Sequence, residues 1–412
     1  MRTKLLVPGL AVFLAFTRVA AEDREADVKE ISKGNCAFAA ELYQQLRTKD
    51  GNLFFSPHSI SSALGMTWAG ARANTEAEMA KALHFGLPQD RLHAAMGALM
   101  ADLNGRTVEE KWQSPDNGRK AFELVVANAL WSQKGYAFRK EYFDQVTRDY
   151  AAGLTELDFP ADVEAARKTI NGWVEGKTNQ RIKDLIPQGQ LTPDVRLVLT
   201  NAIYFKAAWA EPFRKEATKD EDFHLADGKT AQVPIMHRAD HLLYWDEGTF
   251  EAVELPYLGK DVSMEILVPK EAKGLAALEA RVTAADLDAW RGNLKSTMVT
   301  IGLPRFKTTC AFDLNGELKA MGMKDAFVYP AADFTGMSET RELYIGFVIH
   351  KAFVDVNEEG TEAAAATAVG MRAGGRPPEP IRLQIDRPFL FLIRDAKTGS
   401  ILFMGRILDP RV

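Results

Sequence analysis

The sequence predicts a single α+β domain, with helices mostly early in the chain and large sheets late. Apolar residues recur at helical spacing over 35–46 and 59–71, whereas the chain beyond residue 197 carries short apolar runs typical of buried strands. The 412 residues, 46% hydrophobic and 26% charged, are enough to bury a large core. Neither an internal repeat nor a clear linker divides them, so we expect one domain over 22–412.

Local signals define the other elements. Asn74 and Thr75, followed by Glu78, form the capping-box pattern that opens a third helix. An amphipathic stretch over 165–186 predicts a fourth helix, ended by Pro187. Eight strands are predicted from apolar runs, over Leu197–Phe205, Tyr244–Leu255, Val262–Val268, Val299–Phe306, Leu343–Val356, Ile381–Ile385, Phe389–Ile393 and Ile401–Ile407. A short polar turn joins the last two strands, which predicts a buried hairpin.

The N-terminus has the pattern of a secretory signal peptide. Basic residues precede the apolar stretch Leu5–Phe16, and a run of small residues ends at Ala21. The apolar stretch is too short to span a bilayer. We therefore expect cleavage of residues 1–21 before Glu22, which places the mature protein outside the cytoplasm, in the periplasm or the extracellular space, with no stable membrane association.

An uncleaved anchor helix is the alternative interpretation of this N-terminus, and Pro8 and Gly9 weaken it as a spanning helix. Export would bring Cys36 and Cys310, the two cysteines of the chain, into an oxidising compartment. Two cysteines allow one disulfide but no disulfide framework. The sequence alone leaves open whether they pair.

Charge and motifs exclude several function classes. The net charge is −5 without a sustained Lys/Arg block, so we expect no nucleic-acid partner and no heparin-type activation. The G-x-S-x-G, H-E-x-x-H, P-loop and G-x-G-x-x-G patterns are absent from the sequence. His237 and His241 lie four residues apart, and we interpret them as solvated loop histidines rather than metal ligands. We predict no enzyme activity, no metal and no cofactor.

The stretch 358–380, EEGTEAAAATAVGMRAGGRPPEP, does not fit a compact domain. Alanine favours helices and is depleted in strands. Read at period two, however, one face of the stretch carries only small uncharged residues, while Glu362 points to the other face. Such a strand could enter between packed strands without overfilling a core, with Gly360 as a hinge. The small residues are Thr361, Ala363, Ala365 and Thr367 on the first face and Ala364, Ala366 and Ala368 on the second.

Several motifs resemble the serpin family. LQIDRPFLFLI (383–393) is similar to the family's C-terminal signature, and EEGTEAAAATA resembles the inhibitory form of its reactive-loop base. Other segments match in the family's order: NLFFSPHSISSALGMTWAGARANT (52–75), INGWVEGKTNQRIKDLI (170–186), LTNAIYFKAAW (199–209), LPRFK (303–307) and ADFTGM (332–337). The resemblance runs from about residue 30 to the end. It implies three β-sheets, eight or nine helices and an exposed reactive-centre loop at about 358–380.

The resemblance implies an irreversible suicide inhibitor of serine proteases, with cysteine proteases as a second target class. In this family a protease cleaves the loop and is acylated, the loop inserts into the central sheet, and the protease stays trapped in a covalent complex. We expect a monomer whose partner is the target protease. A non-inhibitory serpin that acts as a binding or chaperone-like protein is the alternative. The implied loop hinge is Glu358, Glu359, Gly360, Thr361, Glu362, Ala363, Ala364, Ala365, Ala366 and Thr367.

Two further assignments follow from the resemblance. Counting along the loop from Gly360 places the scissile bond at Gly374–Gly375. A loop one residue shorter gives Ala373–Gly374, and Arg372 or Arg376 would instead suit a trypsin-like protease, so the position stays open. The polar cluster at which the family's central sheet opens falls on Ser56, Ser59, Asn201 and His350, with Trp209 at the top. These could equally be satisfied buried polar groups and a core aromatic residue.

Overall fold

The computed structural model describes residues 9–106, 122–361 and 379–412 of the chain, which contain nine α-helices and fifteen β-strands. The helices are α1 Gly9–Leu46, α2 Pro57–Trp68, α3 Ala73–Ala82, α4 Gln89–Gly105, α5 Lys140–Tyr150, α6 Val163–Lys177, α7 Leu275–Ala280, α8 Ala284–Asn293 and α9 Asn315–Ala320. The strands are β1 Leu53–Phe55, β2 Phe122–Gln133, β3 Gly153–Leu157, β4 Leu197–Ala208, β5 Lys219–His224, β6 Thr230–Asp246, β7 Phe250–Pro256, β8 Val262–Pro269, β9 Lys295–Pro304, β10 Phe306–Asp313, β11 Ile349–Asn357, β12 Gly360–Thr361, β13 Ile381–Gln384, β14 Phe389–Asp395 and β15 Ile401–Ile407.

The strands form three sheets, two of which share one long strand. The first sheet has six strands in the order β10-β11-β12-β4-β2-β3. The other nine strands are hydrogen-bonded in one continuous group, because β6 pairs with β5 and β9 along most of its length and with β7 only over Leu243–Asp246. This group divides at that point into a four-stranded sheet (β5, β6, β9, β13) and a sheet built from β7, β8, β14, β15 and β1 with the end of β6.

The hairpin of β14 and β15 lies in the core, as the sequence predicts. Every residue of both strands is buried, because β8 and β1 flank them in the sheet and helices pack on them. The Phe54 ring stacks on Phe403 with centroids 5.1 Å apart and on Phe391 at 5.7 Å. Strands that are covered on both faces read as continuous apolar runs, which explains why the hairpin is visible in the sequence.

Two helix predictions are wrong in detail. The helix expected over 165–186 ends at Lys177, and the Asn171 side chain then binds both backbone groups of Ile186 at 2.9 Å. The Asn171 side chain thus supplies the hydrogen bonds that a continuing helix would have given to Ile186. The amphipathic pattern therefore extends beyond the last residue of the helix. The predicted capping box does not form at the start of α3. Thr75 Oγ1 accepts from the Asp333 N–H instead, and Glu78 accepts from backbone N–H groups of the segment before residue 326.

Two strand predictions are also wrong in extent. The stretch 244–255 is a hairpin rather than one strand, since Gly248 has φ +105° and donates to the Asp246 carboxylate in the turn between β6 and β7. The stretch 343–356 becomes a strand only at Ile349.

The predicted loop position of His237 and His241 is wrong as well, because both lie on β6. His241 is exposed there, and the His237 side chain contacts Glu221.

The two cysteines are both buried and free. Cys36 Sγ lies 3.4 Å from the Gly399 carbonyl oxygen, and Cys310 Sγ lies 3.4 Å from that of Asn52. They therefore do not form the disulfide that the sequence left open.

At the N-terminus, α1 begins at Gly9, ahead of the predicted cleavage site. Among the helices in the described ranges, none has the length and apolarity needed to cross a bilayer.

Candidate functional site

The base of the predicted loop is already a strand of the six-stranded sheet. Gly360 and Thr361 form β12, which lies between β11 and β4 and pairs antiparallel with both. The rest of the predicted hinge (Glu362, Ala363, Ala364, Ala365, Ala366 and Thr367) lies outside the described residues, as do the candidate scissile-bond residues Arg372, Ala373, Gly374, Gly375 and Arg376. The two residues of β12 thus show the direction in which the loop enters the sheet.

Only glycine fits at the start of β12. Gly360 has φ +147°, and a Cβ there would lie 2.0 Å from the Ala207 carbonyl oxygen and 2.8 Å from the Ala208 Cα. Both neighbours are backbone atoms of β4, which cannot move without breaking the sheet. The predicted hinge glycine is therefore also the point of closest approach between the loop base and β4.

We expect Gly360→Ala to lower the free energy of unfolding by more than about 2 kcal/mol, because backbone strain and overlap with β4 act together. Gly399→Ala is the matched control: Gly399 has φ +80°, but its added Cβ would meet only Arg291, at 4.0 Å. This control should lose about 1 kcal/mol from backbone strain alone. Denaturant unfolding of both variants measures the difference, and equal losses would show that β4 tolerates a side chain at position 360.

Thr361 is enclosed on every side. Its side chain is 2% exposed, and its Oγ1 lies 2.8 Å from the Tyr257 hydroxyl. Tyr257 is itself fully buried and stacks on Trp209, with ring centroids 4.5 Å apart and planes at 5°. The position accepts a small polar side chain that hydrogen-bonds Tyr257, and the described residues around it offer neither room nor a partner for a charged group.

Trp209 fixes the chain that leads into β12. Its indole Nε1 donates to the Asn357 carbonyl at 2.9 Å, and its backbone N–H donates to the Glu359 carbonyl at 2.9 Å. It lies at the end of β4, directly beside the loop base. The aromatic residue that the family resemblance selected thus binds the turn between β11 and β12.

Two carboxylates of the loop base are anchored by cations. Glu358 is 2% exposed, and its two carboxylate oxygens share the Arg305 Nε–H, at 2.8 and 2.9 Å. Arg305 Nη2 and the Thr218 hydroxyl also donate to this carboxylate. Burial opposes ionisation of Glu358, but the hydrogen bonds from Arg305 and Thr218 outweigh it and lower the pKa of this carboxyl. Glu359 pairs with Lys215 at 2.7 Å. The loop base is thus held by charge as well as by β pairing.

The structure brings three members of the predicted sheet-opening cluster together below the loop base. The Ser56 N–H donates to His350 Nε2 at 3.0 Å, and the Ser59 N–H donates to Ser56 Oγ at 3.0 Å, where Ser56 caps α2. All three residues are buried, and Ser59 Oγ has no hydrogen-bond partner among the described residues. Asn201 lies on β4 opposite Asn128, and its side chain is outside the part that the structure describes.

Stability should depend on pH through His350. Burial lowers its pKa to about 3, whereas an unfolded histidine titrates near 6.5. Between these values the unfolded state binds more protons, so stability is complete above about pH 6.5 and falls as the pH decreases, by about 2 kcal/mol at pH 5 for this residue. Burial likewise lowers the pKa of His58 and of His93 to about 4 each, which adds to the acid sensitivity.

Unfolding midpoints measured from pH 7.5 to 5 test this prediction. We expect His350→Gln to flatten the pH dependence by about 2 kcal/mol at pH 5, since the glutamine amide cannot titrate. His241→Gln, at an exposed position of β6, is the control and should keep the parental dependence. An unchanged slope in His350→Gln would mean that this imidazole titrates alike in both states.

An open cleft continues the line of β12 through the sheet. β12 separates β11 from β4 at one end only, and beyond it a cleft of about 340 Å³ lies between 194–200 and 342–350. Ser59 and His350 line this cleft together with apolar side chains such as Leu199 and Val348. Residues that follow Thr361 in register with β4 would lie opposite Lys206 to Leu197 and so reach this cleft. The cleft therefore opens only the far end of the path that a longer inserted strand would follow, since it borders β4 at 197–200.

Comparison with known proteins decides the family. The family model "Serpin (serine protease inhibitor)" matches residues 33–410. The chain belongs to the serpin family. It is 40% identical to human Serpin B3 over 392 residues (93% of this chain, 100% of that protein) and 41% identical to the leukocyte elastase inhibitor of Sus scrofa over 394 residues (93% and 100%). The crystal structure of human thyroxine-binding globulin with its ligand superposes with a TM-score of 0.81 at 32% identity, covering 93% of this chain and 99% of that one.

These matches confirm the predicted serpin fold, with its three sheets and the nine helices found in the described ranges. Sequence reasoning missed three residues of the serpin's loop base: Arg305, Thr218 and Tyr257. Arg305 stood inside the quoted LPRFK segment, which was a signal of family membership but not of a role. A lone Thr and a lone Tyr carry no signal, since their partners lie 140 and 104 residues away along the chain.

Proposed function

We propose that this serpin is a suicide inhibitor of serine proteases that works by loop cleavage, acylation of the protease and insertion of the loop into the six-stranded sheet. The observation that carries the proposal is β12, which already lies between β11 and β4 with the open cleft beyond it. The relatives include proteins named leukocyte elastase inhibitor and antithrombin-III, which supports a protease as the partner.

The chemistry begins with attack by the protease serine Oγ on the carbonyl carbon of the scissile bond, proposed at Gly374–Gly375. The C–N bond breaks, the new amine leaves with the downstream chain, and the upstream chain stays on the serine as an ester. The severed upstream segment is then free to extend β12 beside β4. The small residues after Thr361 suit a strand packed on both faces, and the attached protease is carried along with them.

The energetics favour an irreversible outcome. An inserted strand adds about ten backbone hydrogen bonds, each with a net stabilisation of about 1 kcal/mol. The total is on the order of 10 kcal/mol. Withdrawal of the inserted strand would have to overcome this free energy, so the sheet stays closed around the strand and the trapped complex does not revert. The cleaved form is thus more stable than the native form, which stays metastable until the loop is cut.

The test is incubation of the mature protein with trypsin, elastase, chymotrypsin and subtilisin, followed by denaturing gels and mass spectrometry of the released peptide. We expect a denaturant-resistant complex with one protease and a peptide that begins at Gly375. A peptide beginning at Ala373 would move the cut to follow Arg372. Cleavage by every protease without a complex, and without a rise in thermal midpoint, would refute trapping and leave a serpin fold used for binding.

We also propose that the protein acts outside the cytoplasm as a monomer, after removal of residues 1–21. The basic start, short apolar stretch and small residues up to Ala21 support export. Expression of the full chain with its own leader, followed by intact-mass measurement of the exported protein, tests this. A mass that begins at Glu22 is expected, and retention of the leader on a membrane-bound product would overturn it.

A further inference from the structure

One buried arginine of the four-stranded sheet lacks a hydrogen-bond partner in the described part of the chain. Arg238 lies on β6, where it pairs with the buried Ile301 of β9. Its side chain is 7% exposed, and Nε, Nη1 and Nη2 are all without an acceptor among the described residues. The guanidinium thus holds its N–H donors away from water with nothing to receive them.

Other buried arginines show what such a side chain binds in this protein. Arg406 donates to the Glu279 carboxylate at 2.9 Å. Arg106 donates to the Asp102 carboxylate at 3.0 Å. A buried charge needs an acceptor of this kind, because it has lost the hydrogen bonds of water. Arg238 is therefore missing a group that the other two have.

The carboxylate of Asp240 is too far away to fill this role. Its Oδ2 lies 3.8 Å from Arg238 Nη2, beyond hydrogen-bond distance, and its Oδ1 accepts from the His241 N–H at 2.7 Å. Glu211, whose charge also acts on Arg238, is exposed to solvent. Burial lowers the pKa of Arg238 to about 10 against the opposing effect of these two carboxylates, so the guanidinium is charged at neutral pH.

An aromatic ring covers one face of this guanidinium and connects it to the loop base. The centroid of the Phe213 ring lies 4.7 Å from Arg238 Cζ. Phe213 is buried, and its backbone N–H donates to the Glu358 carbonyl at 2.9 Å. A ring over the guanidinium face supplies no acceptor in the guanidinium plane, where the N–H groups point. The donors therefore remain available to a group that approaches in that plane.

A carboxylate with a single negative charge is the acceptor that this arrangement favours. Two N–H groups of a guanidinium match the two oxygens of a carboxylate. Asp240 and Glu211 would repel further negative charge, which disfavours sulfate and phosphate. Glu211 and Ala239 are exposed neighbours, so the guanidinium lies directly below the surface, within reach of a small molecule.

We propose that Arg238 is the binding site for a small monocarboxylate, which holds the guanidinium and the Phe213 ring in place beside the loop base. The site lies apart from the cleft, and it goes beyond the proposed function because binding requires neither a protease nor cleavage of the loop. The ligand supplies the missing acceptor in the folded protein alone, since Arg238 is solvated in the unfolded chain. Binding therefore stabilises the folded state.

The experiment measures unfolding of the uncleaved protein in urea, with sodium formate replacing sodium chloride at constant ionic strength. A ligand multiplies the folding equilibrium constant by one plus the ratio of its concentration to Kd, about elevenfold at about ten times Kd. Arg238→Met removes the donors and keeps an apolar side chain against Phe213. Arg238→Lys keeps the charge without the planar fork. Arg382→Met, at an exposed position of β13 in the same sheet, is the matched control.

We expect a saturable rise of the folding equilibrium constant in the parent and in Arg382→Met, a rise of less than about threefold in Arg238→Lys, and none in Arg238→Met. A parent that does not respond to formate, or an equal response in Arg238→Met, overturns the site. Sulfate at the same ionic strength should act more weakly than formate, and a stronger effect of sulfate overturns the assignment to a carboxylate.

Stability in chloride alone gives a second measurement. Arg238→Met should be at least as stable as the parent there, because the substitution removes a buried charge without a partner. A marked loss of stability in this variant would show that the guanidinium is already satisfied within the folded chain, and so would overturn the site.

Discussion

Replacing Thr361 by arginine is expected to abolish covalent trapping while the loop remains cleavable. Thr361 is buried between β11 and β4, and its one side-chain partner is the buried hydroxyl of Tyr257. A guanidinium at this position has no carboxylate partner among the described residues and loses its hydration, which costs several kcal/mol. The loop base then stays out of the sheet, and the acyl-enzyme hydrolyses before insertion.

The measurement is the number of inhibitor molecules consumed per protease inactivated, together with denaturing gels. We expect this number to rise more than tenfold in Thr361→Arg, with cleaved inhibitor replacing the complex. Thr361→Val is the matched control, because it keeps the shape and loses only the hydrogen bond to Tyr257, a loss of about 1 kcal/mol. Should Thr361→Arg trap as well as Thr361→Val, entry of residue 361 would not be part of the mechanism.

The elements that the sequence predicts well are those whose surroundings are uniform along the whole element. β14 and β15 are covered on both faces, so most of their positions carry apolar side chains and the runs 389–393 and 401–404 are easily recognised. Gly360 and Thr361 are likewise uniform in kind, since both are small and uncharged where β12 lies between β11 and β4. Periodicity and composition are sufficient for such segments.

What the sequence could not predict depends on partners that are distant along the chain. Thr75 and Glu78 have the local pattern of a capping box, but the backbone near residue 325 and Asp333 takes both side chains. The Asp333 N–H is buried and would lack an acceptor without Thr75 Oγ1, while Glu78 accepts from two successive N–H groups, of Lys324 and Asp325, at once. The same holds for Glu358, which the sequence placed in the loop hinge without a partner and which Arg305 binds in a buried site.

The open cleft and the strand β12 at the loop base together bear on the stability of the native state. β12 ends at Thr361, and farther along β4 and β11 the segments 194–200 and 342–350 line the cleft of about 340 Å³. Ser59 Oγ is left without a partner there among the described residues. A strand that filled the cleft would supply the missing packing and backbone partners at once. Under the proposed mechanism, the inserted loop would therefore provide interactions that the native state lacks.

Cleavage within 362–378 is expected to raise the free energy of unfolding by on the order of 10 kcal/mol, because the freed segment supplies about ten hydrogen bonds between β11 and β4. With a guanidinium dependence of about 6 kcal/mol per molar, the unfolding midpoint should rise by roughly 1.7 M. A protease that is not trapped can prepare the cleaved form, and circular dichroism in guanidinium measures the midpoint. Cleaved Thr361→Arg should gain much less, since its first inserted residue is charged. An equal gain in both proteins would show that stabilisation arises without entry of residue 361, and no gain in either would mean that the cleft is not filled by the loop.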